Sequence, residues 1–270
     1  MTRIHLWFLS VAFAWSAAFL AGCSRDAGDA FQGYVEGEYV YISSPLSGAL
    51  TNLAVARGDQ VKTGQLLFCL ERGSEADALD TAGKNLAQAK ANLALSEITL
   101  KRREQLRENH GVISEEELDQ ARAQHDADAA QVASLAAALA RAKWSFDQKQ
   151  QFAPTNAFVQ DTLYRQGEYV GAQNPVVVLL PPANIKARFF VPEAMLPRIK
   201  AGNTVTVTFD GASHPYSATV SYISTQNEFT PPVIYSEENR AKLVYMIEAT
   251  FAAADAADLR PGQPVNVKIQ

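Results

Sequence analysis

The chain has 270 residues, 47% of them hydrophobic and 20% charged, with a formal net charge of −5 at neutral pH. That length allows more than one compact unit, and a mildly acidic balance without a long lysine or arginine run excludes a general electrostatic footprint for nucleic acid. Two cysteines exclude a disulfide framework.

Residues 1 to 22 differ in kind from the rest. Arg3 supplies a positive start, Ile4 to Leu20 is mostly apolar and free of Asp, Glu, Lys and Arg, and Leu20-Ala21-Gly22-Cys23 ends the stretch with small residues before a cysteine. The pattern resembles a bacterial lipoprotein signal, which implies cleavage before Cys23 and a lipid on that residue; an ordinary signal peptide or an uncleaved anchor helix are the alternatives. Acyl chains bury on the order of 0.8 kcal/mol per methylene, so several on one cysteine would hold the protein at a bilayer. No other stretch approaches the roughly 18 apolar residues of a spanning helix. The expectation is a chain anchored to a membrane without crossing it. Cys69, in the apolar run Leu66 to Leu70, reads as a small buried residue.

From Ser44 to Glu71 the chain reads as three or four short strands separated by turns. So small a sheet has unpaired edges and half a core. Its other half emerges on shifting the chain by 109 residues: Pro45 falls on Pro154, Leu50 on Val159, Gly58-Asp59 on Gly167-Glu168, Val61 on Val170, and Leu67 to Leu70 on Val176 to Leu179. No gap is needed. The Gly-acid pairs mark equivalent tight turns, and the matched Val and Leu positions are those a small sheet buries.

Between the halves, Ser74 to about Gln151 is helical by its periodicity. Leu79, Leu86, Leu93 and Leu100 recur every seven residues, as do Leu118, His125, Val132, Leu139 and Phe146. Asn109-His110-Gly111 breaks the pattern, and Ser114-Glu115-Glu116-Glu117 then spells a capping box. Basic residues from Lys101 to Arg107 close the first helix and acids open the second, each suited to its helix dipole. Two helices of roughly 35 residues give an antiparallel hairpin about 50 Å long.

After Ile185 the pattern changes to strands: Ile185 to Val191, Val205 to Phe209, Ala218 to Ile223, Leu243 to Phe251 and Val265 to Ile269, with a short helix within Pro192 to Ile199. The set fits a small antiparallel barrel, which leaves no exposed edges; a sandwich is the alternative. The fold class is therefore mixed α and β. It comprises a small two-part β domain with an inserted helical hairpin, followed by a small barrel. The expected boundaries are a leader at 1–22, a linker at 23–31, sheet halves at 32–73 and 152–182, the hairpin at 74–151 with its tip at about 108–115, and the barrel at 183–270.

This layout resembles the HlyD-type periplasmic adaptor, or membrane fusion protein, family. The likeness rests on Gly33 to Glu38 leading into Ser44-Pro45-Leu46-Ser47-Gly48, on Gly58-Asp59, Val61, Gly64 and Leu67, and on the split domain with its inserted hairpin. Glu228-Phe229-Thr230-Pro231-Pro232-Val233-Ile234-Tyr235-Ser236 is similar to the adaptors of ABC-type exporters. The resemblance implies that the two-part sheet is a split biotinyl/lipoyl-like domain, and that the protein is a periplasmic adaptor that joins an inner-membrane transporter to a TolC-like outer-membrane duct and exports small molecules such as drugs. It also implies self-association into a ring, commonly a hexamer. An adaptor of an RND-type pump, a type I secretion component and a non-transport envelope scaffold are the alternatives.

The family's hairpin-tip motif is an Arg, a Leu four residues on, and a Ser seven beyond. Arg102 and Leu106 keep the first interval, but Ser114 is eight beyond Leu106; counted back from Ser114, Arg103 and Arg107 take the first two places. Two docking registers are open, and the expected docking residues are Arg102, Arg103, Leu106, Gly111 and Ser114. Ser114 is also needed as a cap and Leu106 as a packing residue. Gln166, in the turn Arg165-Gln166-Gly167, aligns with the family loop that points into the ring's channel as a gate. No lipoyl or biotinyl lysine, other cofactor or metal is expected, because the hairpin replaces the turn that presents such a lysine. His110, His125 and His214 show neither ligand spacing nor a nucleophile and base, so no catalytic site is expected. Ser24 follows Cys23, where an Asp signals inner-membrane retention in enteric bacteria; adaptor function implies the periplasmic face of the inner membrane.

Overall fold

The computed structural model describes residues 30–109, 113–212, 214–229 and 243–269. The leader, Cys23, the linker to Asp29, His110, Gly111 and the stretch from Thr230 to Ser236 lie outside the described residues. The chain divides into two compact units, 39–181 and a second formed by its N-terminal part to Glu38 with 182–270.

In the unit 39–181, strands β2 (Val40–Ser43), β3 (Gly48–Leu53), β4 (Gln60–Val61) and β5 (Leu66–Leu70) come before the hairpin. Strands β6 (Gln150–Phe152), β7 (Ala157–Thr162), β8 (Tyr169–Val170) and β9 (Pro175–Leu180) follow it. The two sheets run β2-β9-β7-β4 and β6-β5-β3-β8, so each interleaves strands from both halves. The 109-residue shift carries one sheet onto the other, strand for strand. Hydrogen bonds repeat with it: Gly58 N donates to Val159 O at 2.9 Å, and Gly167 N to Leu50 O at 2.8 Å. Asp59 accepts from Ala56 N, and Glu168 from Arg165 N, both at 2.8 Å. Gly58 and Gly167 share φ +95°, a left-handed conformation that a side chain would strain. Between the sheets Leu50, Val61, Leu67, Phe68, Val159, Val170 and Leu179 form one core, and Cys69 is buried. Neither half could bury that surface alone.

The insertion is two helices, α1 (Gly73–Glu108) and α2 (Glu115–Gln148). The expected range to Gln151 is slightly long, because Gln150 to Phe152 pair as β6 with β5. Leu86, Ala89 and Ser96 of α1 and Leu118 and Ala121 of α2 are buried. The other heptad residues are half-buried, as expected of a thin two-helix coil with solvent on both flanks.

In the other unit, six strands close into a barrel in the order β1-β10-β13-β12-β11-β14. They are β1 (Ala30–Gly37), β10 (Ile185–Pro192), β11 (Thr204–Thr208), β12 (Tyr216–Phe229), β13 (Leu243–Phe251) and β14 (Pro264–Ile269). The expected short helix is a 3-10 segment, Glu193–Arg198. The structure corrects one boundary: Gln32 to Gly37, expected in the first sheet half, pair with β10 and β14 in the barrel. Phe31 and Val35 face its core beside Phe189, Val191, Ile247 and Val267. A Cβ on Gly33 would lie 2.2 Å from the Arg188 carbonyl oxygen, so only glycine allows β1 to approach β10 there. On the outer face Glu248 accepts from Lys186 at 2.9 Å and from Arg188 at 2.8 Å. Lys186 also pairs with Glu38, and Arg188 reaches Glu36 as an ion pair. Burial pushes the Glu248 carboxyl up, but the bonds from Lys186 and Arg188 outweigh it and hold it below the usual carboxylate range.

Candidate functional site: the end of the hairpin

The far end of the hairpin is built by caps and charges. Ser114 has extended backbone angles, φ −78° and ψ 153°, and its Oγ accepts from Glu117 N at 3.2 Å. Glu117 Oε2 in return accepts from Ser114 N at 3.1 Å. This is the capping box spelled by the sequence, and it satisfies donors that a bare helix start would leave without partners. Hydrogen bonds from the backbone and then the hydroxyl of Ser114 hold the Glu117 carboxyl below the usual carboxylate range.

The four arginines near this end do different things. Arg103 donates through NH1 to the Glu117 carbonyl, tying α1 to the first turn of α2. Arg107 pairs with Glu115 at 3.1 Å. Arg122, from α2, lies 3.8 Å from Glu104. Arg102 is exposed, and among the described residues it makes no hydrogen bond or ion pair. Leu106 is 50% exposed, so it does not serve the coil's packing. Of the two registers the sequence leaves open, one thus has its Arg103 and Arg107 occupied within the hairpin, and the other has Arg102 and Leu106 at the surface. Ser114 is exposed but engaged as a cap.

Two further residues join Arg102 and Leu106 that sequence reasoning missed. Leu95 is 66% exposed and Ile98 57%. The steps 95, 98, 102, 106 place all four within about 80° of the circumference of α1, given 3.6 residues per turn. The row points away from the heptad leucines. Exposed leucines scattered singly need no explanation; here three exposed aliphatic side chains share one face of α1 with an unpaired guanidinium. Beside it a groove of about 350 Å³ opens between the helices, lined by Leu95, Asn92, Thr99, Gln124 and Asp128 among others. The row offers apolar area and the groove offers hydrogen-bonding side chains. The sequence signal that could have found the row is the helical spacing of Leu95, Ile98 and Leu106 outside the heptad positions.

Gln166 lies elsewhere, in the sheet turn before β8. It is exposed and its Nε2 donates to the Thr51 carbonyl at 2.8 Å, folding the side chain back onto β3. Its counterpart under the 109-residue shift is Arg57, also exposed. Among the described residues no three His, Cys, Asp or Glu side chains converge as a metal site, and no helix is long and apolar enough to cross a membrane.

Residues 78–149 match the family of RND MFP alpha-helical hairpin domains, MFP denoting membrane fusion protein. Among curated relatives, a UPF0194 membrane protein of Acidithiobacillus ferridurans is 29% identical over 278 aligned positions, covering 83% of this chain and 81% of its own. One from Yersinia enterocolitica is 28% identical over 298 positions and covers 90% of each chain. Among solved structures, the membrane fusion protein Spr0693 of Streptococcus pneumoniae R6 superposes with a TM-score of 0.64 at 20% identity, over 89% of this chain and 98% of its own. MacA of Actinobacillus actinomycetemcomitans gives 0.67 at 19% identity, over 89% and 78%. These two likenesses establish the fold. The helices of this chain are thus similar to an RND MFP alpha-helical hairpin domain, and the chain shares its fold with these two solved structures.

Proposed function

We propose that this protein is the periplasmic adaptor of an export system, docking the end of its hairpin on an outer-membrane duct of the TolC kind while other surfaces engage an inner-membrane transporter. The observation that carries this reading is the exposed row Leu95, Ile98, Arg102 and Leu106 toward the end of α1, where the neighbouring Arg103 and Arg107 are occupied within the hairpin. Duct helices with an apolar stripe and an acid or carbonyl facing Arg102 would complement it. In a ring of copies, closed cyclic symmetry would let one lateral surface serve every contact, with Gln166 on the channel side. A lipid on Cys23 would hold the ring at the periplasmic face of the inner membrane. The reading assigns transport to the transporter and no catalysis to this chain.

An ABC-type transporter is the partner favoured by the stretch Glu228 to Ser236. The match of the hairpin to RND adaptors favours an RND-type pump as the second reading. Export that stops on ATP depletion with the proton gradient clamped indicates the first; export that stops on collapse of the gradient with ATP maintained indicates the second.

The docking reading is tested by placing a photoreactive residue at Arg102, Leu106 or Ile98 in cells and identifying the captured protein by mass spectrometry. Capture of an outer-membrane duct is expected from these positions and not from Lys84 on the lower part of α1. Capture of only other copies of this chain, or of cell-wall components, would leave an envelope scaffold with an adaptor's fold. In the same cells Arg102→Glu should abolish export, while Arg103→Glu should act only by loosening the hairpin end.

A further inference from the structure

Among the described residues Lys149 is the only buried lysine, 4% exposed, and docking makes no use of it. It caps the C-terminus of α2, where a cation suits the helix dipole. Its ammonium lies 3.1 Å from Glu75 Oε1, in the first turn of α1, and donates to the Ser47 carbonyl at 2.8 Å. One cation therefore touches both helix roots and the turn between β2 and β3. Burial pushes the Glu75 carboxyl up, but the hydrogen bond from Lys149, with lesser help from its own backbone and Ser74, holds it below the usual carboxylate range.

The surroundings are shaped around this ammonium. A Cβ on Gly48 would lie 3.1 Å from Lys149 Nζ, so glycine makes room for it. Fully buried Ser44 donates to the Gln148 carbonyl at 2.8 Å, Leu70 N donates to the Lys149 carbonyl at 2.8 Å, and the Arg72 guanidinium lies 4.5 Å from the centre of the Phe146 ring. An unpaired ammonium in such a place is costly, so the arrangement holds only with lysine, carboxylate and carbonyl together.

Leverage makes the root matter. At 1.5 Å per residue the hairpin is about 50 Å long, and 10° of slack at its root would move its end by about 9 Å, far more than a docking surface tolerates. We propose that Lys149 is a positioning residue: by bridging Glu75 and Ser47 it turns the hairpin root from a hinge into a rigid joint and sets where the far end stands relative to the sheets. The proposal concerns the unit 39–181 alone and does not depend on what the hairpin end docks to.

The test is a distance distribution by pulsed electron resonance in the full chain in detergent, with Cys23→Ser and Cys69→Ala removing native thiols. Spin labels go on Ala123→Cys in α2 and Lys62→Cys beside β4, both exposed positions. Lys149→Met should widen the distribution at least about twofold with helicity unchanged, and Glu75→Gln should widen it less, since a neutral acceptor remains for the lysine. Val159→Ala, which weakens the core in the sheet that neither helix joins, should lower Tm without widening the distribution; widening there too would reduce the effect to general loosening. A folded Lys149→Met protein with the parent's narrow distribution overturns the proposal. If Lys149→Met does not fold, Glu75→Gln decides it by the same measure.

Discussion

In the two sheets Leu50, Leu67, Phe68, Leu70, Val170 and Leu179 are fully removed from solvent, whereas along the whole length of α1 and α2 only Leu86, Ala89, Ser96, Leu118 and Ala121 are buried. Sheets and hairpin belong to one compact unit, yet their stability has different sources. The sheets have a core that each half completes for the other, and their order is set by burial. The hairpin is a thin coil with a polar side chain, His125, at a heptad position. It depends on its two ends: the capping box and Arg103 at one, Lys149 with Glu75 at the other. Burial scales with the area enclosed, while end contacts are few and individually addressable.

The comparison is broken most severely at the core. Phe68→Ala leaves a cavity between the sheets and should cost about 3–5 kcal/mol, seen as a lower urea midpoint. Because the hairpin emerges from β5 and returns into β6, its helical signal should be lost in the same transition as the sheets. A hairpin that kept its helicity after the sheets had melted would contradict the view that the helices lean on their root.

The opposite change, at the far end, should be smaller and confined. Ser114→Ala removes the cap and should cost about 1 kcal/mol, read by faster amide exchange over Glu115 to Leu118 with exchange in β5 and β9 unchanged. The same end should respond to acid. The Glu117 carboxyl is held below its ordinary value, so its stabilisation is complete above the unfolded-state value of about 4.3 and is lost as pH falls through the lower folded one. Amides at the start of α2 should therefore lose protection in acid before those of the sheets, and Glu117→Gln should remove that difference.

Much of this organisation was legible from one sequence because its signals are periodic or local. The heptads, the capping box and the 109-residue repeat each state a spacing that backbone geometry must honour, and the structure repeats the turn at Gly58 in the turn at Gly167 down to its hydrogen bonds. The illegible parts depend on partners distant in sequence. Nothing near Gln32 announces that its strand pairs with β10 some 150 residues later, so β1 was expected in the wrong sheet. Lys149 reads as one more surface lysine until Glu75 and Ser47 are beside it. Adjacent arginines in one helix cannot be told apart by spacing, and only the position of α2 shows that Arg103 is engaged while Arg102 is free.

The smallest expected effect tests the repeat itself. Gly64 has φ +79° and donates from its N–H to the Ala153 carbonyl at 2.8 Å. Its counterpart 109 residues on is Gln173, which donates to the Ser44 carbonyl at 2.7 Å with φ 64°, the one left-handed residue other than glycine among those described. The second half thus keeps the backbone conformation of the first with a residue that resists it. Gln173→Gly relieves a left-handed strain of about 1–2 kcal/mol but adds freedom to the unfolded chain, worth about 0.4–1 kcal/mol the other way, so a net gain between zero and about 1.6 kcal/mol, centred below 1, is expected in urea denaturation. Gly64→Ala should move stability by a similar amount in the opposite sense. Equal and opposite shifts would mean that the two turns differ only in backbone cost; a loss from Gln173→Gly would mean that the glutamine side chain helps to hold the segment around Ser44, whose hydroxyl grips the end of α2.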